Sequence, residues 1–175
     1  MFQFRLFFLA AVIAFVAMTA PGFAHITIEQ RQAMPGSPVK LTFRVPHGCG
    51  DSPTVKLRVR IPDGVIAVKP MPKPGWQIEV AKGPYNKTYS YFHGAKLSEG
   101  VKEVSWTGNL PDTYYEEFVL FGYIAGDLGA DRTIYFPVVQ DCEKGTHRWI
   151  EIPAPGHGAE HLKEPAPGIT IVPKK

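Results

Sequence analysis

Val39-Lys40-Leu41-Thr42-Phe43-Arg44-Val45 puts four apolar side chains on one side of an extended chain and Lys40, Thr42 and Arg44 on the other. That two-residue period belongs to a half-buried β-strand. The pattern repeats after the loop from Pro46 to Pro53, with Val55, Leu57, Val59 and Ile61 opposing Lys56, Arg58 and Arg60. Pro62-Asp63-Gly64 then turns the chain into Val65–Val68. Further strands are predicted over 25–29, 76–80, 88–92, 101–106, 117–124, 133–139 and 148–152. Turns containing Gly, Pro, Asn or Asp separate most of them. No segment sustains a 3.6-residue apolar period, and 17 Pro with 17 Gly leave little room for one. Short alternating strands at this spacing predict an all-β, antiparallel sandwich or barrel. Lys69 to Trp76 carries too many prolines for a central strand. From Pro153 to Lys175 the chain turns Pro/Gly/Ala-rich, which predicts an irregular or loosely docked tail over 154–175.

The first 24 residues read as a secretory leader. Arg5 supplies one positive charge, Leu6 to Val16 is apolar, and Gly22 and Ala24 are the small residues before a cleavage point. Cleavage there leaves a mature chain of 151 residues, one domain in length, with 18 basic and 16 acidic side chains. With no basic block in that balance, nucleic acid is not an expected partner. The expected location is an exported, oxidising compartment, which the resemblance given below makes the periplasm. Two cysteines, Cys49 and Cys142, lie far apart. In an oxidising compartment a disulfide between them is the default, against the rival reading of two thiolate ligands.

Processing after Ala24 would also expose the α-amine of His25. That amine and the ring Nδ1 of the same residue can then chelate one metal ion, and copper(II) suits such nitrogen donors. The competing reading makes His25 simply the first residue of a strand. Around Trp149, a strand would send Ile150 and Ile152 to the core and set His147, Trp149 and Glu151 on the other face. There Glu151 is either a solvated acid or a carboxylate ligand beside an aromatic wall. His47 and His93 read as loop residues, and His157 with His161 as a surface pair. There is no G-x-S-x-G elbow, phosphate loop or H-E-x-x-H pattern, so no enzyme is expected.

Several segments in order carry a family resemblance. They are His25-Ile26-Thr27, Val45-Pro46-His47-Gly48-Cys49, Ile61-Pro62-Asp63-Gly64-Val65, Lys69 through Trp76, and Trp106-Thr107-Gly108. Glu117-Phe118, Phe136 through Gln140, Cys142-Glu143-Lys144-Gly145 and Trp149-Ile150-Glu151 complete the set. The mature chain, from 25 to about 153, resembles the YcnI-like copper-binding family of exported bacterial proteins, in its Gram-negative variety. The resemblance implies an immunoglobulin-like antiparallel β-sandwich that binds Cu(II) through a single-histidine brace at the processed N-terminus. His25 matches the brace histidine, Trp149 the tryptophan near the metal, and Glu151 the acid, with Glu117 as the alternative. Cys49 and Cys142 match the cysteine pair of that variety. Copper handling or delivery is the implied role, with another periplasmic copper protein or a membrane copper transporter as partner. A metal-free envelope structural or protein-interaction module is the competing function.

Overall fold

The alternation at 39–45 becomes the inner part of a four-stranded sheet in the computed structural model, which describes residues 25–174. The leader read over 1–24 lies outside them. In that sheet β1 (Thr27–Ile28) pairs with β3 (Ser37–Val45), β3 with β8 (Glu116–Ile124), and β8 with β5 (Val65–Pro70). A five-stranded sheet runs in the order β11 (Thr146–Trp149), β10 (Val138–Cys142), β4 (Thr54–Arg60), β7 (Lys96–Leu110), β6 (Gln77–Ser90). A small third sheet places β12 (Gly168–Ile171) between β2 (Gln32–Ala33) and β9 (Arg132–Tyr135). Every pairing is antiparallel except β2 with β12. No α-helix occurs among the described residues, and none of their helices is long and apolar enough to cross a membrane.

The inward side chains meet between the two larger sheets. Leu41, Phe43, Val45, Phe118 and Leu120 come from one sheet, and Leu57, Val59, Val104, Trp106 and Val138 from the other, all fully buried. Trp106 reaches across to Phe118 with ring centroids 5.3 Å apart, and Trp76 meets Phe118 edge-on at 4.8 Å. Aromatic contacts of this kind add to the burial of apolar area that drives the sheets together. Of the antiparallel sandwich or barrel that the alternation predicted, the sandwich, which the family resemblance also implied, is the observed architecture.

Several boundaries differ, each for a local reason. The predicted strand 133–139 breaks at Phe136-Pro137. Pro137 has no N–H to donate, so β9 joins one sheet and β10 another. Predicted strands 76–80 and 88–92 merge into β6, because β6 is an edge strand and tolerates Gly83 and Pro84 at its irregularities. Val55 does not share the inward face of Leu57: a bulge between Thr54 and Lys56 turns Thr54 inward instead.

The tail reading is corrected at its far end. Residues 154–167 form no strand, but 168–171 form β12, with Ile169 and Ile171 fully buried. The β12 amide of Thr170 donates to the Arg31 carbonyl at 2.9 Å. Ile169→Val should therefore lower stability by about 1 kcal/mol in urea unfolding, the usual cost of deleting one buried methylene. A loosely docked tail would show no change.

Candidate metal centre

The site is built at one end of the sandwich, where β1 begins. Ile26 and Ile28 are both 2% exposed, and Ile28 lies opposite Phe43 in the ladder. Glu29 continues that pairing by donating its N–H to the Thr42 carbonyl at 3.0 Å. Two buried isoleucines, worth roughly 1.5–3 kcal/mol each, thus hold the start of the strand. His25 immediately precedes them and is half-buried. Its ring lies 5.4 Å from the indole of Trp149.

Trp149 reaches that position because the face assignment of β11 is the reverse of the expected one. Trp149 is 2% exposed, whereas Ile150 is 39% and Ile152 is 55% exposed. Opposite residues in an antiparallel ladder share a face. Trp149 sits opposite buried Val138, and His147 opposite buried Gln140. The indole can be buried because Gln140 satisfies its polar atom: Trp149 Nε1–H donates to Gln140 Oε1 at 3.0 Å. His147 and Trp149 share a face as expected, but it is the inner one. Glu151 lies beyond the last β11 residue and is exposed.

Gln140 also organises the loop after β3. Its Nε2 donates to the His47 carbonyl at 2.7 Å and to Thr54 Oγ1 at 2.8 Å. The same loop is tied to β10 by the Cys49–Cys142 disulfide, the pairing expected from the sequence. Asp112 accepts the Gly48 N–H at 2.8 Å. A Cβ at position 48 would collide with the Ser52 carbonyl, so only glycine permits this close turn. His47 consequently stands with its ring centroid 6.5 Å from that of His147, which lies 5.1 Å from Trp149. Two histidines, His25 and His147, therefore flank one indole, and His47 stands beside His147.

The acids are already engaged. Glu151 Oε2 accepts the Glu164 N–H at 2.8 Å, and the Glu151 main chain bridges to Pro165 and Ala166. Glu117 receives Arg44 at 3.0 Å on the outer face of the four-stranded sheet. Arg44 lies opposite Thr27, so Glu117 reaches the start of β1 only across that guanidinium. Glu164 accepts from His147 Nδ1 at 2.6 Å and from the Arg148 N–H at 2.9 Å. Burial pushes its carboxyl upward, but these hydrogen bonds outweigh burial and hold it below the usual carboxylate range. Its stabilising contribution is thus complete above that range and fades as pH falls through the lowered value.

Among the described residues, no three His, Cys, Asp or Glu side chains gather around a point that could hold an ion. A brace needs fewer, because the α-amine of a processed His25 supplies a donor that is not a side chain. His93, His157 and His161 are exposed and stand apart as loop and tail residues. The proximity of His47 to His147 escaped the sequence reading. Its one available signal was the pairing of Cys49 with Cys142, which draws the His47 loop to β10.

The two facing antiparallel sheets make this an immunoglobulin-like sandwich. A solved protein from Nocardia farcinica, described as uncharacterized with an immunoglobulin-like fold, matches it with a TM-score of 0.60. The two are 24% identical over 85% of this chain and 98% of that one. The chain belongs to the family described as a domain of unknown function, DUF1775, whose pattern covers residues 25–171. DUF1775 is the YcnI family. No curated protein matches the chain.

Proposed function

We propose that this protein is an exported copper(II)-binding protein of the periplasm, acting in copper handling or delivery and not in catalysis. The observation that carries the reading is the half-buried His25 ring, held by Ile26 and Ile28 against the buried indole of Trp149. After removal of residues 1–24, the His25 amine and Nδ1 would supply two nitrogen donors. Glu151 is the proposed anionic ligand, with Glu117 the alternative. Its hydrogen bond from Glu164 occupies one carboxylate oxygen and orients the group, since a carboxylate has acceptor capacity on both. Trp149 would wall off one side of the ion and restrict what else can approach. Membership of the YcnI family supports the same reading. The partner that receives copper would be another periplasmic copper protein or a membrane transporter.

The test is a copper(II) titration with electron paramagnetic resonance on the mature chain and on a form carrying one extra residue before His25. The extension leaves the imidazole in place and displaces the amine. We expect it to weaken binding by at least about tenfold, as loss of one equatorial donor should, and to alter the spectrum. A terminal amine titrates at about 7.7–8.0 and must lose its proton to bind, so affinity should also fall below neutral pH. Identical affinity and spectra for both forms would favour the metal-free interaction module.

A further inference from the structure

We propose that His47 and His147 form a second copper place, separate from the brace, which takes copper(I). It uses none of the brace donors, so the two readings stand or fall independently.

Both imidazoles are fixed from below. The His47 main chain hangs on Gln140, and its loop is pinned by Asp112 and by the disulfide. His147 sits in the β11 ladder opposite Gln140. In each ring the same nitrogen is already occupied. His47 Nδ1 lies 2.6 Å from the Gly48 carbonyl, and His147 Nδ1 lies 2.6 Å from Glu164 Oε1. A carbonyl or an ionised carboxylate only accepts, so each Nδ1 is the donor and Nε2 is the nitrogen left to ligate an ion. Donation of the remote N–H to a carbonyl or carboxylate is the arrangement that orients metal-ligating histidines.

Spacing and charge select the ion. With a metal–nitrogen bond of about 2.0–2.1 Å, a bound ring centroid lies about 3.2 Å from the ion, so two rings on one ion are at most about 6.4 Å apart. The observed 6.5 Å lies just beyond that limit, so a two-coordinate, near-linear ion asks the least inward movement of the rings. A tetragonal ion with both rings side by side would need them about 2 Å closer. The pair offers neutral donors only, since Glu164 is spent on His147. The single carboxylate beside the pair, Glu164, balances a monovalent ion, whereas a half-buried dication would keep an uncompensated charge. Copper(I) meets both conditions. The Trp149 indole, flanked by His147 at 5.1 Å and His25 at 5.4 Å, then separates the two copper places.

The experiment uses the mature chain with one extra residue before His25, titrated anaerobically with copper(I) in competition with a chromophoric chelator. One equivalent should bind, and His47→Ala or His147→Ala should each weaken it by at least about tenfold. Absence of binding, or affinity unchanged by both substitutions, overturns the proposal. Because either variant could misfold, silver(I) is also added to the unsubstituted chain and imidazole nitrogens are followed by NMR. Shifts of Nε2 in His47 and His147 support the pair; no shift in either refutes it. A copper(I) site that persists while the extended chain retains full copper(II) binding would refute the brace alone.

Discussion

Replacing Cys49 and Cys142 together by serine is expected to lower the midpoint of thermal unfolding by about 10 °C. The bridge joins residues 93 apart in sequence. In the loop-entropy model, a closure of that length removes about 4 kcal/mol of freedom from the unfolded chain. For a domain of this size each kcal/mol moves the midpoint by about 2–4 °C. Scanning calorimetry of the oxidised and serine forms reads the difference, and a shift below about 3 °C would contradict the account. A local effect should accompany the global one. The Cys49 and Ser52 amides, which exchange main-chain hydrogen bonds at 3.0 and 3.3 Å, should lose hydrogen-exchange protection first.

Gln140→Leu should cost about 3 kcal/mol despite being nearly isosteric and more apolar. Gln140 is 1% exposed and serves three buried groups: the Trp149 indole N–H, the His47 carbonyl and the Thr54 hydroxyl. Leucine leaves those partners unmatched, each at about 1–3 kcal/mol. Chemical denaturation measures the loss, and a cost below about 1 kcal/mol would mean that the network relaxes freely. Combined with the cysteine replacement, the loss should be less than additive, because Gln140 and Cys142 brace the same loop from the same strand.

How far the sequence reading carried depended on whether the period-2 pattern decided the fold locally. At Val39–Val45 it did, because four apolar side chains alternate with Lys40, Thr42 and Arg44 and the apolar face is buried, although Thr42 on the other face is covered as well. At β11 it failed, because His147 and Trp149 compete with Ile150 and Ile152 for the inside. The winner is set by Gln140 on a neighbouring strand, whose amide makes burial of an indole N–H tolerable. β12 was hidden for a different reason. Its Ile169-Thr170-Ile171 pattern is short and lies between Pro167 and Pro173, so its partners, remote in sequence, confer the strand state. The His25–Trp149 contact joins the first and eleventh strands' neighbourhoods, a distance no local pattern expresses. The pairing of Cys49 with Cys142 was legible because only one partner existed for each.

The parallel pairing of β2 with β12 has a consequence for the order in which this chain can be finished. Synthesis delivers residues 32–33 long before residues 168–171, yet each is the other's ladder neighbour. Until β12 emerges, the segment that follows His25 lacks one of its lateral supports. A nascent chain stalled or cleaved before residue 168 would therefore keep an incomplete N-terminal edge, with His25 held through the β1–β3 ladder and its two isoleucines but without the β2–β12 pairing. Placement of His25 thus depends on a segment about 140 residues further along the chain.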